Sequence, residues 1–139
     1  MVLISAKEIY DYISAATADS TSLLNLTARG IVRESGSINQ IVHLGDDGSE
    51  EVVELSTAKE FYIDVPWGAM TEDEAGTVID FWGSATIGNG KMRTFKYKHA
   101  YGATTHTYVA RFDSDLARDI RDGNIHNMSV RLKVTGYVT

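Results

Sequence analysis

The chain has 139 residues, of which 43% are hydrophobic and 23% charged, and a formal net charge of −6, as expected for one soluble globular domain. It contains no cysteine, which excludes disulfides, thiol catalysis and cysteine metal sites. The N-terminus has no basic region, and no stretch approaches the ~18 apolar residues of a membrane span, so we expect neither a signal peptide nor a membrane anchor.

The first predicted element is a short helix over residues 5–16. The run Ser5-Ala6-Lys7-Glu8 has the pattern of a capping box, which satisfies free N–H groups at a helix start. Polar residues follow at 17–22 and indicate a loop. We therefore predict an N-terminal helix and linker over 1–22 and a single β-sandwich-like domain over 23–139. The apolar stripe of this helix is Ile9, Tyr12, Ile13 and Ala16.

Strands are predicted next, over 23–33, 38–44, 50–56 and 59–67. The turn residues Gly45-Asp46-Asp47-Gly48 join the second and third of these strands as a hairpin. In the fourth strand, alternate residues place one apolar row on one face, namely Phe61, Ile63 and Val65.

The strongest helix signal follows that strand. Thr71-Glu72-Asp73-Glu74 forms a second capping box, and Gly83 supplies the stop. Between them, apolar residues recur at helical spacing, at Ala75, Val78, Ile79 and Trp82. We expect this helix to cover one face of a sheet, with Val78, Ile79 and Trp82 packed on Phe61, Ile63, Phe95 and Leu132.

In the second half of the chain, the sequence predicts a turn at Gly88-Asn89-Gly90. It then predicts a hairpin of strands 93–99 and 106–112 and a closing strand over 126–138. Asp113-Ser114 predicts the cap of a third short helix that buries Leu116 and Ile120 and stops at Gly123. The sum is an α+β fold: an antiparallel β-sandwich or partly open barrel, with one main helix packed on the sheet and one or two short helices.

Metal ligands are few and poorly spaced. His99 and His106 flank the predicted 93–112 hairpin and could approach each other, but a zinc site needs a further ligand such as Asp113. The acidic run 46–51 lacks the ligand spacing of an EF-hand. We predict neither a metal nor a cofactor.

Catalytic motifs are missing as well. The chain has no G-x-S-x-G elbow and no phosphate-binding Gly-rich loop. Asp64 and Glu54 could form a carboxylate pair for glycoside chemistry, but nothing in their spacing favours this over two solvated strand acids. We therefore predict that the protein is not an enzyme.

Specific nucleic-acid binding is not predicted either, because it needs a clustered basic surface. Lys96 and Lys98 alternate with Phe95 and Tyr97, which would suit a stacking platform for single strands. The same alternation is typical of a strand with one buried and one solvated face, and we favour that interpretation. The basic cluster consists of Lys91, Arg93, Lys96 and Lys98.

Several of these segments resemble small tail proteins of long-tailed bacteriophages. The order of KEFYIDVPW, TEDEAGTVIDFW, TFKYKHA, HTYVARF and MSVRLKVTGYV, with LGDDG before them, is similar to the distal-tail and minor-tail proteins, including the lambda minor tail protein M type. The resemblance covers about residues 40–139, and its motifs are structural rather than reactive.

The resemblance implies a structural virion protein without enzymatic activity. It implies a ring subunit, hexameric, that connects the tail tube to the tail tip or baseplate and is assembled in the host cytoplasm. Its partners would be further copies of itself and the tube, tape-measure and hub proteins. DNA would pass through the ring without specific binding, and no membrane would be involved.

Exposed strand edges must be paired, covered or charged, so such a subunit needs neighbours. We expect head-to-tail contacts around a closed ring, made by the hairpin 33–53 and by a flexible loop at 84–92. The candidate interface residues, with the apolar pairs placed in strands, are Ile31, Val32, Ile41, Val42, Gly88, Asn89 and Gly90. The acids expected to face the central channel are Asp46, Asp47, Glu50 and Glu51.

An alternative function is a β-sandwich binding module that recognises carbohydrate or a protein partner. It would present Trp67, Tyr97 and Tyr101 as exposed aromatic side chains. Burial of these side chains would favour the tail protein instead.

Overall fold

The computed structural model describes residues 8–99 and 105–139, with the backbone alone at 39, 41, 43 and 53–58. A 3₁₀ turn, Ile9–Tyr12, comes first, and one α-helix, α1, spans Glu72–Gly83. The strands are β1 (Leu23–Leu24), β2 (Arg33–Leu44), β3 (Glu50–Met70), β4 (Phe95–His99), β5 (His106–Phe112), β6 (Arg118–Arg121) and β7 (Ile125–Tyr137). No helix in the described ranges has the length and apolar character needed to cross a membrane.

The strands form one sheet in the order β1-β4-β5-β7-β3-β2, and β6 also pairs with β7. All pairs are antiparallel except β1 with β4. One edge of β7 is shared, because β5 pairs with its residues 132–137 and β6 with 125–128. The predicted α+β class is confirmed, with an antiparallel sheet that stays open.

Helix α1 begins where the sequence predicts. The Thr71 hydroxyl accepts a hydrogen bond from the N–H of Glu74 at 3.3 Å, and the Glu74 carboxylate accepts one from the N–H of Thr71 at 3.1 Å. This reciprocal capping box satisfies two N–H groups that the helix itself leaves unpaired.

The helix covers the sheet, as predicted, but Phe81 lies deeper than Trp82. Val78 is fully buried, and the Phe81 ring stands edge-on to Phe95 with their centroids 5.4 Å apart. Trp82 and Ile79 are only partly buried at the margin of the same core. Of the predicted sheet residues, Ile63, Phe95 and Leu132 are fully buried, whereas Phe61 is partly buried and lies beside Tyr12.

The predicted N-terminal helix is much shorter in the structure. Its first residues lie outside the described ranges, and only the 3₁₀ turn Ile9–Tyr12 is helical. From Ser14 onward the backbone bonds to the end of β7 instead: Tyr137 donates to the Ser14 carbonyl at 3.1 Å, and Ala16 donates to the Tyr137 carbonyl at 2.9 Å. Pairing with a strand end thus replaces the helical bonds.

The predicted third short helix is wrong, because residues 118–121 form strand β6. The two residues expected to cap a helix serve β7 instead. The N–H of Asp113 donates to the Arg131 carbonyl at 2.7 Å, and the Ser114 hydroxyl accepts from the Arg131 N–H at 3.1 Å. Ile120 is exposed, so no apolar stripe is buried that would support a helix.

Two strand boundaries also differ from the prediction. The strand predicted over 23–33 contains only Leu23–Leu24 as an extended pair, followed by a loop in which Arg29 bridges to Trp67. The strands predicted at 50–56 and 59–67 form a single strand, β3, that continues to Met70.

Candidate assembly interface

The hairpin of β2 and β3 extends beyond the rest of the sheet. β3 pairs with β7 only from Phe61 onward, and β2 pairs only with β3. Residues 38–59, here called the arm, therefore form a two-stranded ribbon with no third strand among the described residues. From Ile38 to Leu44 the arm extends roughly 20 Å, at ~3.3 Å per residue. A ribbon of two strands is marginally stable in water, so the arm needs another surface.

One face of the arm is apolar and exposed. Val42 lies opposite Val52, and Leu44 lies opposite Glu50. Residues directly opposed in an antiparallel pair project from the same face, so these four form one surface, here called the arm face. Val42 and Val52 are each 57% exposed and Leu44 is 73% exposed. Such a group of neighbouring apolar side chains is typical of a contact surface rather than of a solvated strand.

The turn at the end of the arm is acidic and well formed. The Asp47 carboxylate accepts hydrogen bonds from the Ser49 hydroxyl at 2.6 Å and from the Ser49 N–H at 3.0 Å, and these bonds lower the pKa of Asp47. Gly48 adopts φ +85°, which favours glycine. The four acids expected to face a channel are all exposed at this end: Asp46, Asp47, Glu50 and Glu51. Glu51 lies on the face opposite the arm face, because its neighbour Glu50 points the other way.

A groove lies at the base of the arm, beside the 3₁₀ turn. Tyr12, Gly36, Ile38, Lys59 and Phe61 line it, and we call it the Tyr12 groove. Its two parts have volumes of about 300 Å³ and about 210 Å³. The Tyr12 ring lies 6.0 Å from the Phe61 ring. A Cβ atom at Gly36 would lie 3.1 Å from the Phe61 ring, so the glycine keeps the floor of the groove free of side chain.

The predicted interface residues near β2 have different surroundings. Ile31 is 92% exposed, whereas Val32 packs partly against the core. Both precede β2 in a loop, so their predicted placement in a strand is wrong. Val42 belongs to the arm face, and Ile41 is in β2 but its side chain lies outside the described part.

The loop 84–92 was predicted to be flexible, but it is bonded to the end of α1. Gly88 is buried and donates to the Phe81 carbonyl at 2.9 Å, and Gly90 donates to the Trp82 carbonyl at 2.7 Å. A Cβ atom at Gly88 would lie 2.4 Å from the Phe81 carbonyl oxygen. Asn89 is exposed, with φ +45°. Gly88 thus serves the fold of its own chain and is not available to a neighbour.

The two histidines of the β4–β5 hairpin lie opposite each other, as predicted. Each one, however, binds a carboxylate from another segment. His99 Nε2 lies 2.8 Å from Glu34 of β2, and His106 Nε2 lies 2.9 Å from Glu8 before the 3₁₀ turn. Tyr108 is buried nearby, and its pKa is raised to about 12 by burial first and by the charges of Glu34 and Glu8. These pairs join the N-terminal segment and β2 to β4 and β5.

Within 8–99 and 105–139 there is no group of three or more His, Cys, Asp or Glu side chains that could hold a metal ion. Asp113, considered as a third zinc ligand, instead lies 3.1 Å from Arg111. Asp64, considered as a catalytic carboxylate, lies 2.9 Å from Arg131. Both acids are therefore engaged by arginine on the sheet.

The aromatic platform of the alternative function is not formed. Trp67 is fully buried and donates from Nε1 to the Leu26 carbonyl at 3.1 Å. Tyr97 is buried as well, and Tyr101 lies outside the described residues. Phe95 is also buried while Lys98 is exposed, so the solvated-face interpretation of this strand is confirmed and the stacking platform is wrong.

The main feature missed at the sequence level is the length of β3. No Gly, Pro, Asn or Asp interrupts residues 55–63, and this lack of a turn signal could have indicated one continuous strand. The Tyr12 groove had no such signal, because it joins residues from distant segments.

No protein-family model matches the chain, and no curated protein matches it. Among solved structures, the fold is similar to that of a chain in the tail of an empty GTA particle, computed with helical refinement and C6 symmetry. The TM-score is 0.58, and the match covers 96% of this chain and 98% of that chain at 7% sequence identity. At this identity the likeness is one of fold.

Proposed function

We propose that this protein is a structural subunit of a phage-like tail that assembles with further copies of itself into a ring. Two independent features support this. The motif order resembles phage tail proteins, and the fold is similar over nearly the whole chain to that of a protein from a C6-symmetric particle tail. A hexameric ring is the form we propose.

The arm is the observation that carries the proposal. Val42, Leu44 and Val52 expose an apolar surface on a ribbon that has no third strand in the described chain. Both features are explained if a neighbouring subunit covers the arm, because unpaired strand edges and exposed apolar strand faces are contact surfaces. A subunit whose parts complement different parts of its neighbour forms a closed ring when the rotation closes.

A more specific role within the tail is suggested by the resemblance of the sequence motifs to those of phage tail proteins. We propose a distal-tail or minor-tail protein that connects the tail tube to the tail tip or baseplate. Its neighbours would be the tube, tape-measure and hub proteins, and it would reside in the virion tail after assembly in the host cytoplasm. Residues 23–139 would form the tail domain, with 1–22 as its N-terminal extension. The role requires no catalysis, because packing and shape alone perform it.

Removal of the arm tests the proposal. Ile38 and Lys59 are directly opposed in the β2–β3 pair, so replacing residues 39–58 by Asn-Gly closes the hairpin with a two-residue turn. We expect the shortened protein to unfold cooperatively on heating, as a folded domain does, and to remain monomeric in analytical ultracentrifugation. The parent should form closed rings with increasing concentration, visible by electron microscopy.

The control is an arm of unchanged length in which Asp46→Asn and Asp47→Asn alter only the turn. This variant should still assemble. A parent protein that stays monomeric at every concentration, or an arm-less protein that assembles equally well, would contradict the proposal.

A further inference from the structure

We infer that the arm face of one copy docks in the Tyr12 groove of the next copy. This inference rests on the proposed function and names the surface that receives the arm. The arm supplies an apolar face bordered by Glu50, and the larger part of the groove supplies an apolar cavity with Lys59, which has no ion pair among the described residues. Three properties of the described residues support the match.

The first property is shape. The larger part of the groove has a volume of about 300 Å³ and lies between Tyr12, Ile38 and Phe61. This space is large enough for a branched aliphatic side chain, and Leu44 is the most exposed apolar residue of the arm face. Burial of Leu44 there would remove both apolar surfaces from water.

The second property is charge. Lys59 lines the groove, is exposed and has no ion pair among the residues that the structure describes. The neighbouring Lys133 is already 3.4 Å from Glu60. On the arm face, Glu50 lies opposite Leu44 and next to the turn. Glu50 therefore pairs with Lys59 when Leu44 enters the groove, whereas Asp46, Asp47 and Glu51 remain free to face a channel.

The third property is distance. The end of the arm lies roughly 20 Å from the groove at its base, at ~3.3 Å per residue, so an extended arm does not reach the groove of its own chain. The two surfaces are different parts of one chain, and their contact is heterologous. Each copy then offers one arm and receives another, which suits a ring.

Other exposed apolar residues are less suitable receivers. Ile120 lies on β6, where all four side chains are exposed, so the strand offers a flat surface rather than a groove. Met92 follows the loop that is bonded to α1, beside Lys91, which already lies 3.8 Å from Asp115. Lys98 on β4 also lacks an ion pair in the described ranges, but the cavity that it lines includes the polar residues Asn25, Thr27 and Thr105. The Tyr12 groove instead places Lys59 beside Tyr12, Ile38 and Phe61.

Disulfide trapping tests the contact directly, because the chain has no cysteine of its own. Val52→Cys protein is mixed with Lys59→Cys protein and oxidised, and a disulfide needs Cα atoms within about 4.4–6.8 Å. We expect a covalent dimer of the two variants. The matched control is Lys98→Cys, an exposed lysine on β4, which should give no dimer with Val52→Cys.

Charge exchange provides the second test. Lys59→Glu should weaken self-association at least about tenfold, measured by sedimentation, and Glu50→Lys in the same chain should restore it. Lys98→Glu should change nothing. Two outcomes would contradict docking in the Tyr12 groove and leave the proposed function standing. In one, the protein assembles but Val52→Cys forms a disulfide with Lys98→Cys instead; in the other, the Lys59→Glu protein assembles normally. If the arm-less protein assembles like the parent, both are overturned.

Discussion

Arg29 joins its own loop to the end of β3 and the start of α1, which follow about 40 residues later in the sequence. Its N–H donates to the Pro66 carbonyl at 2.9 Å, and its guanidinium donates to the Ala69 carbonyl and to the Glu74 carboxylate, each at 2.8 Å. Ala69 has φ +53°, a conformation that is unusual for alanine, and it lies where the β3–β7 register shifts. Arg29 therefore holds both the irregular end of β3 and the start of α1.

Glu74 makes this junction sensitive to acid. Its pKa is lowered, first by the N–H of Thr71 and then by Arg29, so the folded state binds fewer protons at this site than the unfolded state. The stabilisation is therefore complete above the ordinary carboxyl pKa of about 4.3, and it is lost as the pH falls through the lower folded pKa. We expect Glu74→Gln to lower the melting temperature at pH 7. Near pH 3, the melting temperature of this variant should approach that of the parent protein.

The control for this measurement is Asp73→Asn, in the same helical turn. Asp73→Asn removes the same charge without altering the contacts to Thr71 or Arg29, so we expect it to lower the melting temperature at pH 7 by less than Glu74→Gln does. A Glu74→Gln protein with the same acid-induced loss of melting temperature as the parent would contradict the assignment.

These contacts differ in how far the sequence could predict them. The capping box of Thr71 and Glu74 spans three residues, and its pattern alone predicts both hydrogen bonds. The pair of Arg29 with Glu74 spans 45 residues, and nothing local distinguishes Arg29 from other arginines. The same holds for His99 and His106: their opposition follows from the hairpin, whereas their carboxylate partners come from segments brought together only by the folded sheet.

The loop after α1 provides a prediction about a whole element. Gly88→Ala places a Cβ atom 2.4 Å from the Phe81 carbonyl oxygen, so the loop must separate from the helix end. We expect a destabilisation of roughly 1–3 kcal/mol in urea unfolding. The matched control is Gly76→Ala inside α1, where a Cβ atom meets nothing within 4 Å. That variant should be more stable than the parent by about 0.5–1 kcal/mol. Equal effects of the two substitutions on the free energy of unfolding would mean that the loop is not held against the end of α1.

Element prediction succeeded where local bonds decide the structure. Helix α1 contains its own cap and ends at Gly83, as predicted, although Phe81 rather than Trp82 completes its buried face. β6 has the pattern of a capped helix, but Asp113 and Ser114 bind the backbone of Arg131, and that long-range pairing decides the outcome. In the N-terminal segment, Ala16 similarly bonds to Tyr137. Tertiary pairing overrides helix propensity in both cases.

For the whole molecule, the sequence predicted the hairpin and its acidic turn, but not the surface that could receive it. The turn Gly45-Asp46-Asp47-Gly48 is a local signal, and the structure has it at the end of the arm. The groove combines Tyr12 with β2 and β3 residues such as Ile38 and Phe61, so it exists only after folding. The proposed interface between copies therefore combines a hairpin that the local sequence predicts with a groove that forms only when distant segments fold together.

The acids of the turn lead to a prediction about the assembled ring. If Asp46, Asp47 and Glu51 face a channel that DNA traverses, they repel phosphates, whereas lysines there would hold them and release counterions. We expect rings of the parent to show no binding of linear double-stranded DNA in a filter assay. Rings with Asp46→Lys, Asp47→Lys and Glu51→Lys should bind it with an affinity that falls steeply as salt rises.

The control places the same charge elsewhere on the surface, with Asp115→Lys, Asp119→Lys and Asp122→Lys, three exposed acids around β6. Each triple variant changes the formal net charge of −6 by the same amount, so net charge alone predicts equal DNA binding. A channel position predicts a difference, because DNA inside a ring meets the turn of every subunit at once. Equal DNA binding by the two triple variants would contradict the placement of the acids of the arm in the channel.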